Sequence, residues 1–176
     1  MKHHFPALFL ALLALCAPAA ARLWKPTPEQ EAQDYSTITH NKGPDGRVVL
    51  SWMSSASMSS PVMQQLLDKY LVLSVVHTRS GPGGTTSWDE VQGVQVMDAG
   101  GAALKELSGD AIPPTLVGMI ATVEAVMKQN SHGQANGHWS VYDAGAVHAC
   151  GPGKLQVAYG GETYTWDTPL PGCPKK

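Results

Sequence analysis

Leu71-Val72-Leu73-Ser74-Val75-Val76-His77 is an almost unbroken apolar run, rich in valine and closed by a histidine. It is too short for a buried helix and lacks polar alternation, so it reads as a central strand covered on both faces. Just before it, Val62, Met63, Leu66, Leu67 and Tyr70 recur at helical spacing, with Gln64, Gln65, Asp68 and Lys69 on the opposite side. Ser60 and Pro61 provide a helix start, an N-cap residue followed by proline in the first turn. Further upstream, Val48-Val49-Leu50-Ser51-Trp52-Met53 is a second buried strand. Strand, helix and strand within about thirty residues predict a βαβ unit with two parallel strands. The fold class expected is α/β, with a mixed sheet.

Outward from this unit the signals weaken. Residues 22–45 form an extended segment that Trp24, Tyr35 and Ile38 should pin to the domain, and Pro44-Asp45-Gly46 marks a turn. Ser80 to Ser87 is a glycine-rich loop, Val94-x-Val96 a short alternating segment, and Ala102 to Leu107 one or two helical turns. Pro113-Pro114 opens a second helix with the stripe Leu116, Met119, Ile120, Val123, Val126 and Met127. Beyond it Trp139–Tyr142, Ala146–Cys150, Leu155–Tyr159 and Thr163–Trp166 read as short strands separated by turns. The last two form an extra C-terminal β-hairpin. All four paired in sequence would instead give an α+β fold with a C-terminal four-stranded meander.

The N-terminus predicts export. Lys2 precedes an apolar run from Phe5 to Leu15, too short to span a bilayer, and Ala19-x-Ala21 offers the small side chains a signal peptidase accepts. Residues 1–21 are therefore read as a signal peptide, 22–45 as the extended segment and 46–176 as a single α/β domain. A competing reading makes Cys16 a lipidated cysteine, although Leu15 before it is not small. Removal of the leader takes Cys16 with it and leaves two cysteines, Cys150 and Cys173, an even number that fits a structural disulfide in a periplasmic or secreted protein. The net charge is −2 with no clustered cations, which argues against nucleic-acid binding. No segment beyond the leader is apolar enough for a membrane span.

Val48 to Trp52, Pro61 to Tyr70, Leu71 to His77 and the segment Trp139 to Val147, turning at Asp143-Ala144-Gly145, together resemble the thioredoxin-like superfamily, in particular its exported thiol-reductase and peroxiredoxin-like branches. The resemblance implies a βαβ core with a late β-hairpin. It also implies a redox cysteine at the start of the first helix, where the helix dipole lowers a thiol pKa. That region reads Trp52-Met53-Ser54-Ser55-Ala56-Ser57-Met58 and holds no cysteine. Gly137-His138 stands where the family keeps a proline.

With that chemistry gone, no catalysis and no cofactor are expected. The reading is a binding protein for a protein, peptide or envelope component, with a ligand surface around Trp52, Ser54 and His77 at the strand edge. Two enzyme readings compete: a thiol oxidoreductase using Cys150 and Cys173, or a hydrolase pairing His77 with a nearby serine. A metal carrier using His132 and His138 is a further alternative, although their spacing, His-x₅-His, is at the long end of the usual His-x₃₋₅-His and no thiolate is free to join them. Ser80 to Thr86 could offer amides to an anion but lacks the lysine of a phosphate-binding loop. Trp139, Tyr142, Tyr159, Tyr164 and Trp166 would form either a glycan or peptide surface or ordinary cross-strand pairs.

Overall fold

The computed structural model describes residues 22–27, 34–131 and 134–174, so the leader, Cys16 and His132 lie outside the described residues. In chain order the elements are β1 (Arg22–Trp24), β2 (Thr37–Asn41), β3 (Arg47–Met53), α1 (Pro61–Lys69), β4 (Tyr70–Ser80) and β5 (Thr86–Trp88). They continue with β6 (Gln95–Met97), β7 (Glu106–Leu107), α2 (Pro114–Asn130), β8 (His138–Asp143), β9 (Gly153–Tyr159) and β10 (Glu162–Thr168).

The valine-rich run becomes the middle of β4, where every residue from Leu71 to Val76 is buried. Its neighbours are β3 on one side and β8 on the other, within a sheet ordered β2-β3-β4-β8-β7, and β5 pairs with the far end of β4. A second sheet is ordered β1-β10-β9-β6. Side chains alternate along β4, so Leu71, Leu73 and Val75 enter the core between the sheets while Val72 meets the helices. Ile38, Val48, Leu50 and Trp52 join the inter-sheet core from the first sheet, and Val96, Leu155, Val157, Tyr164 and Trp166 from the second. Trp52 meets Trp166 edge-on, with ring centroids 6.1 Å apart. On the outer face Leu67 of α1 and Leu116 of α2 pack on Val72 and Val141. The result is a three-layer α/β protein of sheet, sheet and helices, with the C-terminal hairpin β9–β10 in the sheet on which neither α1 nor α2 packs.

Several expectations are corrected. β3 and β4 are antiparallel, with Trp52 opposite Leu73 and Val48 opposite His77. A parallel return needs a connection as long as the strand, and nine helical residues cover only about 14 Å against about 36 Å for eleven strand residues. The helix instead closes the end of a wide hairpin and runs directly into β4. The mixed pairing lies in the other sheet, where β1 is parallel to β10. Ala146–Cys150 is a pair of turns and not a strand, so neither the four-stranded meander nor a hairpin returning from β8 forms. β8 stays in the first sheet while β9 and β10 build the second. Ala102 to Leu107 is extended: Ala103 bridges Met97 and Glu106–Leu107 forms β7. The segment 22–45 supplies two strands, and Ile38 in β2 is fully buried.

Helices α1 and α2 are shallowly seated. In α1, Leu67 is buried but Val62 is 70% exposed. Ser60 holds the N-cap position without a side-chain capping bond. In α2, Leu116 alone is fully buried, and Val126 of the expected stripe is half exposed. Leu116→Ala should therefore cost about 3 kcal/mol, whereas Val126→Ala should cost under about 0.5 kcal/mol, read as shifts in the urea midpoint.

Candidate functional site

Apart from His132, which lies outside the described residues, each expected site residue has a definite place, and they do not share one surface. Antiparallel pairing puts Trp52 and His77 four rungs apart on the β3–β4 ladder, about 13 Å along the strands. His77 belongs to a polar joint between the sheets. Its Nδ1 lies 3.1 Å from the Tyr159 hydroxyl and 3.4 Å from Asp89 Oδ2, and its Nε2 lies 3.1 Å from the Asp45 carbonyl oxygen. A carbonyl only accepts, so Nε2 carries the proton and, in the neutral ring, Nδ1 accepts from Tyr159. Arg79 donates to the same Asp89 oxygen at 2.6 Å. Both imidazole nitrogens are thus engaged, and among the described residues neither is hydrogen-bonded to a serine.

A second histidine repeats the motif. His40 occupies the rung His40–Val48–His77 and sets Nδ1 3.2 Å from the Tyr164 hydroxyl. Trp24 of β1 stacks on the His40 ring at 3.8 Å. Two His–Tyr bonds therefore bolt the sheets together at this end. The burial of Tyr164, reinforced by the nearby Glu162 charge, pushes its phenol up to about 12. The Tyr159 phenol is also raised, by burial first and then by the Asp89 carboxylate.

Trp52 and Ser54 lie at the other end, beneath the surface. Trp52 is 2% exposed, and Ser54 is fully buried with no hydrogen-bond partner for its hydroxyl among the described residues. Their chain neighbours reach the surface. Ser55–Ser57 is a single 3₁₀ turn held by Ser57 Oγ donating to the Ser54 carbonyl at 2.8 Å, and by Tyr35 donating to the Ala56 carbonyl at 3.1 Å. Gln64 of α1 reaches back to the Met58 carbonyl at 2.7 Å. Ser55, Ala56, Met58, Gln64 and Asp68 form one wall of a cleft of about 370 Å³, and Cys150, Gly172 and Pro174 the other.

The opposing wall exists because Cys150 and Cys173 are joined in a disulfide. Backbone bonds from Leu170 to Ala149 (2.8 Å) and from Cys173 to Leu170 (3.0 Å) hold the tail beside it. Gly172 rests against the Tyr35 ring so closely that a Cβ there would collide with it. On the far side of the disulfide a second cleft, about 450 Å³, is lined by Pro152, Pro169, Leu170 and Pro171 together with both cysteines and Pro174. Residue spacing does not reveal these clefts. The one available signal was the Pro169-Leu170-Pro171-Gly172-Cys173-Pro174 run, which reads only as a tethered tail.

The remaining candidates do not converge on a site. No cluster of three His, Cys, Asp or Glu side chains suited to a metal occurs among the described residues, His138 included. The aromatic set is split: Trp139 and Tyr142 lie in the first sheet, and Tyr159, Tyr164 and Trp166 in the second. Tyr164 and Trp166 are buried in the core. Among the described residues, no helix is long and apolar enough to cross a membrane. In comparisons with known proteins, no family model, no curated protein and no solved structure matches this chain.

The sheet joint has a consequence for pH. Tyr164 keeps its proton to about 12 in the fold against 10.0 for an ordinary phenol, so its contribution is whole below pH 10 and is lost as pH rises through 12. Two units correspond to about 3 kcal/mol. Denaturant titrations across this range should show the native protein losing stability steeply. Tyr164→Phe should begin about 1 kcal/mol lower at neutral pH, for the lost hydrogen bond, and fall less.

Proposed function

We propose that this chain is an exported binding protein without catalytic activity, and that its ligand is a peptide segment laid across the disulfide-walled clefts. The observation that carries this reading is the meeting of two clefts, about 370 and 450 Å³, at Cys150 and Pro174, which line both. Their walls are mostly apolar, from Ala56 and Met58 to Leu170 and four prolines, while Gln64 and Asp68 supply a polar rim on α1. Proline walls are already fixed in φ, so a bound segment need not order them. Asp68 favours a basic residue in the ligand.

The test is selection from a random peptide library on the oxidised chain lacking residues 1–21. Recovered peptides should carry apolar residues beside a lysine or arginine. They should bind Met58→Glu at least tenfold more weakly than the unaltered protein. Peptides that bind Met58→Glu equally well would sink the assignment.

Thiol–disulfide exchange is the second reading, favoured by one observation: Cys150 faces both clefts, so a ligand thiol can approach it. The binding reading expects a disulfide that stays oxidised in glutathione buffers. Forced reduction of its 23-residue loop should lower stability by about 3 kcal/mol. Rapid equilibration with glutathione at a potential near those of redox catalysts would favour the enzyme.

A further inference from the structure

Away from these clefts, one face of the first sheet carries a row of polar side chains, of which only Thr78 is engaged within the sheet, its hydroxyl donating to the Arg47 carbonyl at 3.5 Å. Register pairs Asn41 of β2 with Arg47 of β3, Arg47 with Thr78 of β4, and Thr78 with Trp88 of β5. Direct partners share a face, so a carboxamide, a guanidinium, a hydroxyl and an indole stand in line across four strands. One step further along, Ser80 pairs with Thr86 and adds two hydroxyls on the same side. The helices cover this face around Val72 and Val141 and stop short of the row. What remains is a cleft of about 430 Å³.

Its chemistry is selective. No carboxylate lines it, and among the described residues no acidic group lies within 4.0 Å of Arg47. The neighbouring Arg79, which points to the opposite face, is by contrast neutralised by Asp89 at 2.6 Å. The side chains of Asn41, Ser80 and Thr86 make no hydrogen bond to the described residues, whereas Thr85 in the intervening loop is spent on the Pro82 carbonyl. The scaffold is fixed by strand pairing. The β2–β3 turn closes through Gly46 at φ 98°, so near the Thr78 carbonyl that a Cβ would collide with it. The glycine-rich loop after β4 is closed by the Gly81 N–H donating to the Thr85 carbonyl at 2.7 Å.

We propose that this row binds an acidic saccharide, a short oligosaccharide bearing a carboxylate. The indole face of Trp88 takes the C–H face of one ring by dispersion, and Arg47 takes the carboxylate through its planar fork. Asn41, Ser80 and Thr86 supply donors and acceptors for ring hydroxyls, and the Thr78 hydroxyl, which donates to the Arg47 carbonyl, adds an acceptor. Arg47 and Trp88 stand two strand spacings apart, about 10 Å, the span of a short oligosaccharide. An exposed arginine alone holds an anion weakly in water, so the neutral hydroxyls, the amide and the indole define the class.

The experiment is a titration at constant ionic strength with a uronic-acid tetrasaccharide, a neutral glucose tetrasaccharide and inorganic phosphate. Trp88 indole N–H shifts and calorimetry provide the readout. The uronide should bind at least tenfold more tightly than either control. Arg47→Gln should abolish its advantage over the neutral sugar, Trp88→Ala should remove binding of both, and Lys154→Gln on the other sheet should change nothing. Arg47→Lys, which keeps the charge, guards against misfolding and should retain partial preference. No uronide binding, equal response to phosphate, or an unaltered preference in Arg47→Gln would each overturn the proposal. Peptides selected on the disulfide clefts should bind undisturbed with uronide present, which keeps the two sites separable.

Discussion

Burial of β4 on both faces is the constraint from which the architecture follows. A strand with Leu71, Leu73 and Val75 on one side and Val72 on the other cannot lie at a surface. Each such side chain is worth about 1.5–3 kcal/mol when withdrawn from water. One side demands a second apolar layer, met by the hairpin of Leu155, Val157, Tyr164 and Trp166. The other demands a cover, met by Leu67 and Leu116. The helices need reach no further than Val72 and Val141 to satisfy that demand. Hence α2 sits lightly and the far end of the sheet stays bare.

The same arrangement separates structural polarity from available polarity. Between the sheets His77 and His40 are matched to Tyr159 and Tyr164, and Asp89 to Arg79. Groups of this kind in a crevice invite a catalytic reading, yet here their hydrogen-bonding capacity is consumed in joining two layers. Uncommitted chemistry is found at the periphery, in the clefts beside the disulfide and along the Asn41–Trp88 row. Neither location uses a histidine.

What could be read from the residues was whatever a single element decides. The valine run, the Pro61 and Pro114 helix starts, the C-terminal hairpin and the cysteine pair all declare themselves locally, and each is present. Strand direction was not legible, because it depends on how far α1 can carry the chain relative to the length of β4, and composition looks the same either way. That single reversal also dissolved the expected surface: parallel strands would bring Trp52 and His77 to one edge, whereas antiparallel strands send them to opposite ends. Ala146–Cys150 has strand-like composition but is bent by the disulfide and by bonds to the tail, a tertiary effect that overrides propensity. The Arg47 row escaped notice for a related reason. Its members are scattered over nearly fifty positions, and only register assembles them.

The parallel pairing of β1 with β10 also bears on how the chain is made. β1 lies against β10, and Lys25 meets Asp167, 142 positions further along the chain, at 2.6 Å. A strand made early in synthesis is thus completed by the last of the described strands. Until then Trp24 has no second sheet to shelter it, and the loop to be closed is nearly the whole polypeptide. A molecule wired in this way becomes a finished object only once its final hairpin has been made.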